Sequence, residues 1–159
     1  MTQFLAALLT LLGGMTMQDE TASIVTRHGD VWIASQPSEG DLDAWASQGA
    51  QMVINSRTPE ETADLPFDLK AAVEARGMRY VEMPVGGRHG ATPAHVLELD
   101  SLLATLDGPV VMHCRSGTRS AHIYAAHLQR SEPDIENGFD AMGWTGGRDR
   151  NLVDALTPQ

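Results

Sequence analysis

The stretch Val110-Val111-Met112-His113-Cys114-Arg115-Ser116-Gly117-Thr118-Arg119-Ser120 decides how this chain is read. An apolar run leads into a short polar loop, and a helix is expected from Ala121 onward. Strand, loop and helix in that order form the repeating unit of a parallel α/β sheet. The only cysteine of the chain, Cys114, lies at the turn. There it meets backbone N–H groups, the start of a helix and guanidinium groups, all of which favour negative charge. Gly117 permits a left-handed turn and a close approach of backbone to a ligand. Arg119 can fold back over Cys114 and present a planar fork to two oxygens of an anion. Arg115, Ser116, Thr118 and Ser120 are the further anion-binding candidates, Thr118 and Ser120 as hydroxyl donors. His113 falls on the opposite side of its strand from Cys114 and reads as a structural hydrogen-bonding group.

Outward from this loop, strands alternate with helices. Ser23–Arg27 and Val31–Ala34 flank His28-Gly29-Asp30 and read as an N-terminal hairpin. Ser38 with Asp41 reads as a capping box, opening a helix with Leu42, Trp45 and Ala46 on one face. Gln51–Asn55 suits a buried parallel strand. Asp64, with Pro66 just beyond, reads as the start of the next helix, which Gly77 ends. Met78–Val85 is a strand. Gly86–Ala91 is a flexible loop, and Thr92-Pro93 opens a helix with Val96, Leu97, Leu99, Leu102, Leu103 and Leu106 as its apolar face. A short helix near Ile135–Met142 and one or two turns near Asn151–Leu156 close the chain. The expected fold is α/β: a parallel central sheet of about four to five strands with helices on both faces, after the hairpin. Ligands of such sheets bind beyond the carboxyl ends of the strands. Ser56-Arg57, Gly86–Ala91 and Cys114–Ser120 are the pieces expected there.

Composition narrows the function. The chain of 159 residues carries 21 acidic against 11 basic side chains, a formal charge of −10. A nucleic-acid or anionic-membrane partner is not expected, because counterion release and steering both oppose it. Residues 1–17 form an uncharged apolar leader, too short to span a bilayer. It reads as a signal-peptide core, a misassigned start or a packed N-terminal helix, leaving cytoplasm and periplasm both open. Residues 18–159 read as a single domain. Six histidines are scattered, and His122 and His127 do not share a helical face. No metal and no cofactor is expected.

The segment His113–Ser120 resembles the active-site signature of the cysteine-dependent phosphatase and rhodanese superfamilies. With Ala34-Ser35-Gln36-Pro37, Val53-Ile54-Asn55-Ser56-Arg57 and Tyr80-Val81-Glu82-Met83-Pro84-Val85, the chain from about residue 23 to 131 resembles the bacterial tyrosine-phosphatase-like domain of the beta-lactamase-hydrolase-like proteins. That resemblance implies a cysteine-phosphatase-like fold. It also implies a hydrolase in which Cys114 attacks phosphorus and Arg119 holds the oxygens, or a sulfur transferase working through a Cys114 persulfide. The substrate would be a small anionic or sulfur-containing molecule, or a phosphoprotein. A binding or redox-sensing module with little turnover is the remaining alternative.

Two departures divide these readings. Four residues separate Cys114 from Arg119, the rhodanese spacing, where tyrosine phosphatases have five. The loop that matches their mobile acid-bearing loop, Gly86–Ala91, has no carboxylate, so His89 is the candidate proton donor there. Glu60 and Glu61 are the nearest carboxylates on another candidate loop. Arg57 is read either as added positive charge at the site or as the partner of Glu60 or Glu61. Gln36 is read as an amide donor to the site or as a turn residue before Pro37. Trp32, Trp45 and Trp144 read as core or rim packing, and Arg148 and Arg150 as a solvated face.

Overall fold

The computed structural model describes residues 23–157. The expectations for residues 1–17 lie outside them. Five strands form one sheet: β1 (Ile24–His28), β2 (Val31–Ala34), β3 (Met52–Asn55), β4 (Arg79–Glu82) and β5 (Val110–His113). Their order is β1-β2-β5-β3-β4. The hairpin partner β1 is antiparallel to β2, and every other pair is parallel. β2, β3 and β5 are buried along their whole length. That is why they read as continuous apolar runs rather than alternating ones.

Alternate residues of these strands feed two cores. Val31, Ile33, Met52, Ile54, Val110 and Met112 face one side, with Ala121, Ile123, Phe139 and Trp144. Trp32, Ala34, Val53 and Val111 face the other, with Leu42, Trp45, Leu69 and Val73. Helices α1 (Glu39–Ser47), α2 (Pro59–Ala63), α3 (Leu69–Ala75), α4 (Pro93–Leu103), α5 (Thr118–Ser131), α6 (Gly138–Ala141) and α7 (Arg150–Leu156) complete the described fold. α1 and α3 supply the second core, and α4 to α7 cover the opposite face. The expected arrangement of helices on both faces is observed.

Local chemistry explains most helix boundaries. Ser38 and Asp41 form the capping box expected for α1. Asp68, not Asp64, caps α3, its side chain accepting the Ala71 N–H. The turn Thr58-Pro59-Glu60-Glu61, taken from the sequence as loop, is a capping box with proline in the first turn, and it opens α2. α5 begins at Thr118 rather than Ala121, because Gly117 takes up φ +90° as its N-cap. Leu97, expected on the apolar face of α4, is 45% exposed, while Val96 and Leu99 are fully buried. The three tryptophans pack in the cores as expected.

α6 lies against α5 through Gly138. A Cβ there would sit 2.3 Å from the Ala125 carbonyl oxygen and 2.6 Å from the Ala125 Cα. Both are backbone atoms of a packed helix and cannot turn aside. Gly138→Ala is expected to destabilise by about 1–3 kcal/mol through overpacking. This outweighs the helix-propensity gain of about 0.5–1 kcal/mol. A fall in Tm measured by circular dichroism checks it, and an unchanged or raised Tm would overturn it.

Candidate functional site

Register places the site. Ala34 pairs with His113, His113 with Asn55, and Asn55 with Glu82, so four strands end in one row. Ser35-Gln36, Cys114, Ser56-Arg57 and Met83–Gly87 all leave from that row. Backbone bonds tie these exits together. Gln36 N–H donates to the Arg115 carbonyl (3.1 Å), Ser56 N–H to the His113 carbonyl (2.8 Å), and Val85 N–H to the Ser56 carbonyl (3.1 Å).

A cleft of about 520 Å³ opens above this row, lined by Cys114, Arg115, Ser116, Thr118, Arg119 and Glu61, with Thr58, Gly86, Gly87 and Arg88 at its rim. Cys114 is 1% exposed and forms its floor. The Gly117 N–H donates to Cys114 Sγ at 3.1 Å. Gly117 is confined on its other side: a Cβ would lie 3.0 Å from the Trp144 ring and 3.3 Å from the Ala34 carbonyl oxygen. Positive φ and tight surroundings together exclude side chains at this position. The Ser116 and Thr118 hydroxyls lie 3.1 Å apart on the exposed lip.

Arg119 is the most constrained charged group of the cleft. Its Nη1 donates to Glu61 Oε2 (2.7 Å) and to the Val85 carbonyl (2.9 Å), and its Nη2 donates to Glu61 Oε1 (2.8 Å). A guanidinium has five N–H donors. Among the described residues one N–H on Nη2 and the Nε–H therefore stay unspent, on the edge away from Glu61. The guanidinium also interacts with Cys114. The Glu61 bond first, and the charge of Cys114 after it, strengthen the hold of Arg119 on its proton. Glu61 in turn is lowered from 4.5 to about 2, first by the Arg119 hydrogen bond and also by the Thr58 N–H. Thr58 N–H donates to Glu61 Oε2 at 2.9 Å, so one carboxylate caps α2 and clamps Arg119.

The other candidates are placed differently. Arg57 donates from Nη1 to Gln36 Oε1 (2.9 Å), and its Nε lies 3.9 Å from Glu61 Oε1. Gln36 Nε2 donates to the Pro37 carbonyl at 3.1 Å. Gln36 therefore does not offer its amide to the cleft; it holds Arg57 behind Glu61. Ser120 is fully buried and bonds Ser56 Oγ at 3.3 Å, below the cleft rather than in it. His89 is also away from Cys114. Its Nδ1 meets Asp149 Oδ2 at 3.2 Å, and its side chain is 61% exposed. Arg148, expected on a solvated face, bonds Asp140 and the Trp144 carbonyl and lies over the Phe139 ring.

Sequence reasoning gave Glu61 little weight, and it placed Ser56 at the strand ends without its bond to Ser120. The T-x-x-E pattern Thr58–Glu61 was the available signal for Glu61. It predicts a helix whose first turn faces the strand ends, and so a carboxylate next to the loop. Among the described residues no group of three or more His, Cys, Asp or Glu is arranged to hold a metal ion.

His113 is fully buried, with Nδ1 3.4 Å from the Cys114 carbonyl and Nε2 without a partner among the described residues. Burial lowers it from 6.5 to about 4. A histidine lowered on folding contributes stability in full above the unfolded value, and loses it as pH falls from about 6.5 towards 4. The loss is expected to be roughly 3 kcal/mol. Urea titrations at pH 7 and 4.5 check it: the loss should shrink in His113→Asn, and an equal loss in the variant would refute this assignment.

Among known proteins, the chain matches the family described as beta-lactamase hydrolase-like protein, phosphatase-like domain, over residues 23–130. It is 34% identical over 126 residues to the beta-lactamase hydrolase-like protein of Agrobacterium fabrum, covering 71% of this chain and 28% of that protein. Against the Xylella fastidiosa (strain Temecula1) protein of the same name it is 33% identical over 126 residues, covering 70% of this chain and 29% of the other. The chain thus spans less than a third of the length of these relatives. Among solved structures, Tk-PTP in its active form is similar with a TM-score of 0.68 at 20% identity, over 86% of this chain and 97% of that one. Kinase associated phosphatase, solved with its catalytic-site cysteine replaced by serine, gives 0.66 at 17% identity, over 79% of this chain and 83% of that one. The fold is that of the tyrosine-phosphatase-like phosphatases. With the family match spanning both the sheet and the Cys114 loop, the chain belongs to the phosphatase-like domain family of the beta-lactamase hydrolase-like proteins.

Proposed function

We propose that this protein is a cysteine-nucleophile phosphatase acting on phosphate monoesters. The observation that carries this reading is the pairing of Cys114 Sγ, bonded by the Gly117 N–H at 3.1 Å, with an Arg119 fork whose outer edge Glu61 occupies. The two unspent N–H groups of Arg119 match two oxygens of a tetrahedral anion in front of the thiolate. The Cys114 thiolate attacks phosphorus, the P–O bond to the leaving group breaks, and a thiophosphoryl intermediate forms. Water then attacks phosphorus, the P–S bond breaks, and the thiolate and phosphate are released.

The leaving oxygen needs a proton, and the carboxylate lining the cleft cannot give one. Glu61, held at about 2, is ionised at neutral pH. His89 is turned away, to Asp149. Aryl phosphates, whose leaving groups depart as anions, are therefore expected to react much faster than alkyl phosphates.

The same feature favours a second reading, sulfur transfer, together with the four-residue interval between Cys114 and Arg119. In that chemistry the thiolate attacks the outer sulfur of thiosulfate and sulfite leaves with the bonding pair. The Cys114 persulfide then gives its sulfur to cyanide, and the thiolate returns. No step needs a general acid.

Parallel assays on an aryl phosphate and on thiosulfate with cyanide separate the two. Phosphate release without thiocyanate is the expected result. Thiocyanate without phosphate release would replace the first reading with the second. Turnover of neither by folded protein would remove both and leave an anion-binding or redox-sensing module.

A further inference from the structure

A second cavity adjoins the cleft. It has a volume of about 330 Å³, and Arg88, Arg148 and Arg150 line it with His89, His122 and Asp149. Arg88 lines both cavities, so the two open onto a common rim. Five of the chain's 11 basic side chains (Arg88, Arg115, Arg119, Arg148 and Arg150) converge on this one region. The carboxylates bound to this region's basic groups are Glu61 on Arg119, Asp140 on Arg148 and Asp149 on His89. On a chain of charge −10 this concentration is the opposite of the average surface, and it focuses attraction for anions on one spot.

The three arginines of the second cavity differ in what they have left to give. Arg148 spends donors on Asp140 and the Trp144 carbonyl. Arg88 and Arg150 have no hydrogen-bond or ion-pair partner among the described residues. The cavity floor is rigid. His122 is 1% exposed, its Nδ1 2.7 Å from the Thr118 carbonyl and its Nε2 accepting the Asp149 N–H at 3.0 Å. Thr118 belongs to the wall of the Cys114 cleft. One histidine thus joins the two cavities and holds them at a set separation.

We infer that the Arg88–Arg150 cavity is a second anion subsite, taking a phosphate or carboxylate group of a compact substrate whose reacting group sits at Cys114. This rests on the proposed chemistry only for which group reacts. A compact molecule with two anionic groups fits better than an extended acidic chain, which would run onto the acidic remainder of the surface.

The test is made on the full chain carrying Cys114→Ser, so that no turnover intervenes. Backbone amide signals are followed by NMR during titration with inorganic phosphate and, separately, with succinate. Saturating shifts at Gly147, Asp149 and Asn151, distinct from those at Ser116–Thr118 and weakened about tenfold or more by Arg150→Ala, are expected. A response to phosphate alone or to succinate as well identifies the group the subsite takes. Shifts confined to Ser116–Thr118, or cavity shifts undiminished by Arg150→Ala, would overturn the subsite. A kinetic comparison on the wild type follows. An aryl phosphate bearing a second phosphate should exceed the plain aryl phosphate in kcat/KM by about tenfold, and Arg150→Ala should collapse that ratio towards one. Equal kcat/KM values in the wild type would also overturn the subsite. Absence of turnover on both aryl phosphates would instead count against the phosphatase reading, while the titrations still decide the subsite.

Discussion

Cys114→Ser is expected to lower turnover of an aryl phosphate by at least about 10⁴-fold, the scale on which enzymes lose rate with their nucleophile. A serine hydroxyl is not ionised near neutral pH, and no histidine or carboxylate in the cleft is placed to take its proton. Glu61 is committed to Arg119 and Thr58. His113 projects to the other face of the strand, and its one hydrogen-bond partner among the described residues is the Cys114 carbonyl. The cradle should survive the exchange, because the Gly117 N–H that meets Sγ can meet Oγ, and Arg119 is held by groups outside the loop. Affinity for inorganic phosphate, measured by calorimetry, is therefore expected to stay within about tenfold of the wild type while the rate collapses. A variant that kept its rate would remove every covalent reading of the site, phosphoryl and sulfur alike. A variant that lost both rate and phosphate binding would show that the cradle depends on sulfur.

Much of the fold was legible because its signals are local. Continuous apolar runs marked the buried strands, since helices cover both faces of the sheet. Ser38–Asp41 and Thr92-Pro93 marked helix starts through side-chain chemistry that needs no tertiary context. The misread start at Asp64 arose from two aspartates with cap potential four residues apart, of which the packed helix uses Asp68. The site was less legible because its pairings are long-range. Residue types identified Cys114 and Arg119, but that Glu61 binds Arg119 across 58 positions follows from where β3 and α2 place it. Similarly, Ser120 sits next to Arg119 in sequence yet turns below the cleft to Ser56, because successive helical residues point about 100° apart. His89 lies in the expected loop, but Asp149, far along the chain, holds it away from Cys114.

Arg119→Lys is expected to lower kcat/KM by about 10²–10³-fold, the range seen when one oxyanion donor is lost. The geometry gives the reason. Arg119 makes three bonds that fix its plane, two to Glu61 and one to the Val85 carbonyl, and keeps one whole edge for the ligand. A lysine ammonium has three donors around a single point. If they satisfy Glu61 and Val85 they leave the anion; if they turn to the anion they leave the half-buried Glu61 carboxylate without its cation. Charge alone therefore cannot rescue the position. Glu61→Gln is expected to give a smaller loss, about tenfold in kcat with KM less affected, because the amide accepts one of the two bonds and loosens the plane without removing the fork. The two effects should not add. With Lys at 119 there is no plane left to orient, so the double variant should be no slower than Arg119→Lys alone. The pH profile separates orientation from proton transfer. Glu61 is lowered to about 2 by Arg119, so its contribution to stability is complete above about 4.5 and is lost progressively as pH falls from there through about 2. Between pH 5 and 8 it does not titrate, and Glu61→Gln should lower the rate by the same factor throughout that interval. A factor that changes with pH, or losses that multiply in the double variant, would show that Glu61 exchanges protons with the substrate instead of holding Arg119 in its plane.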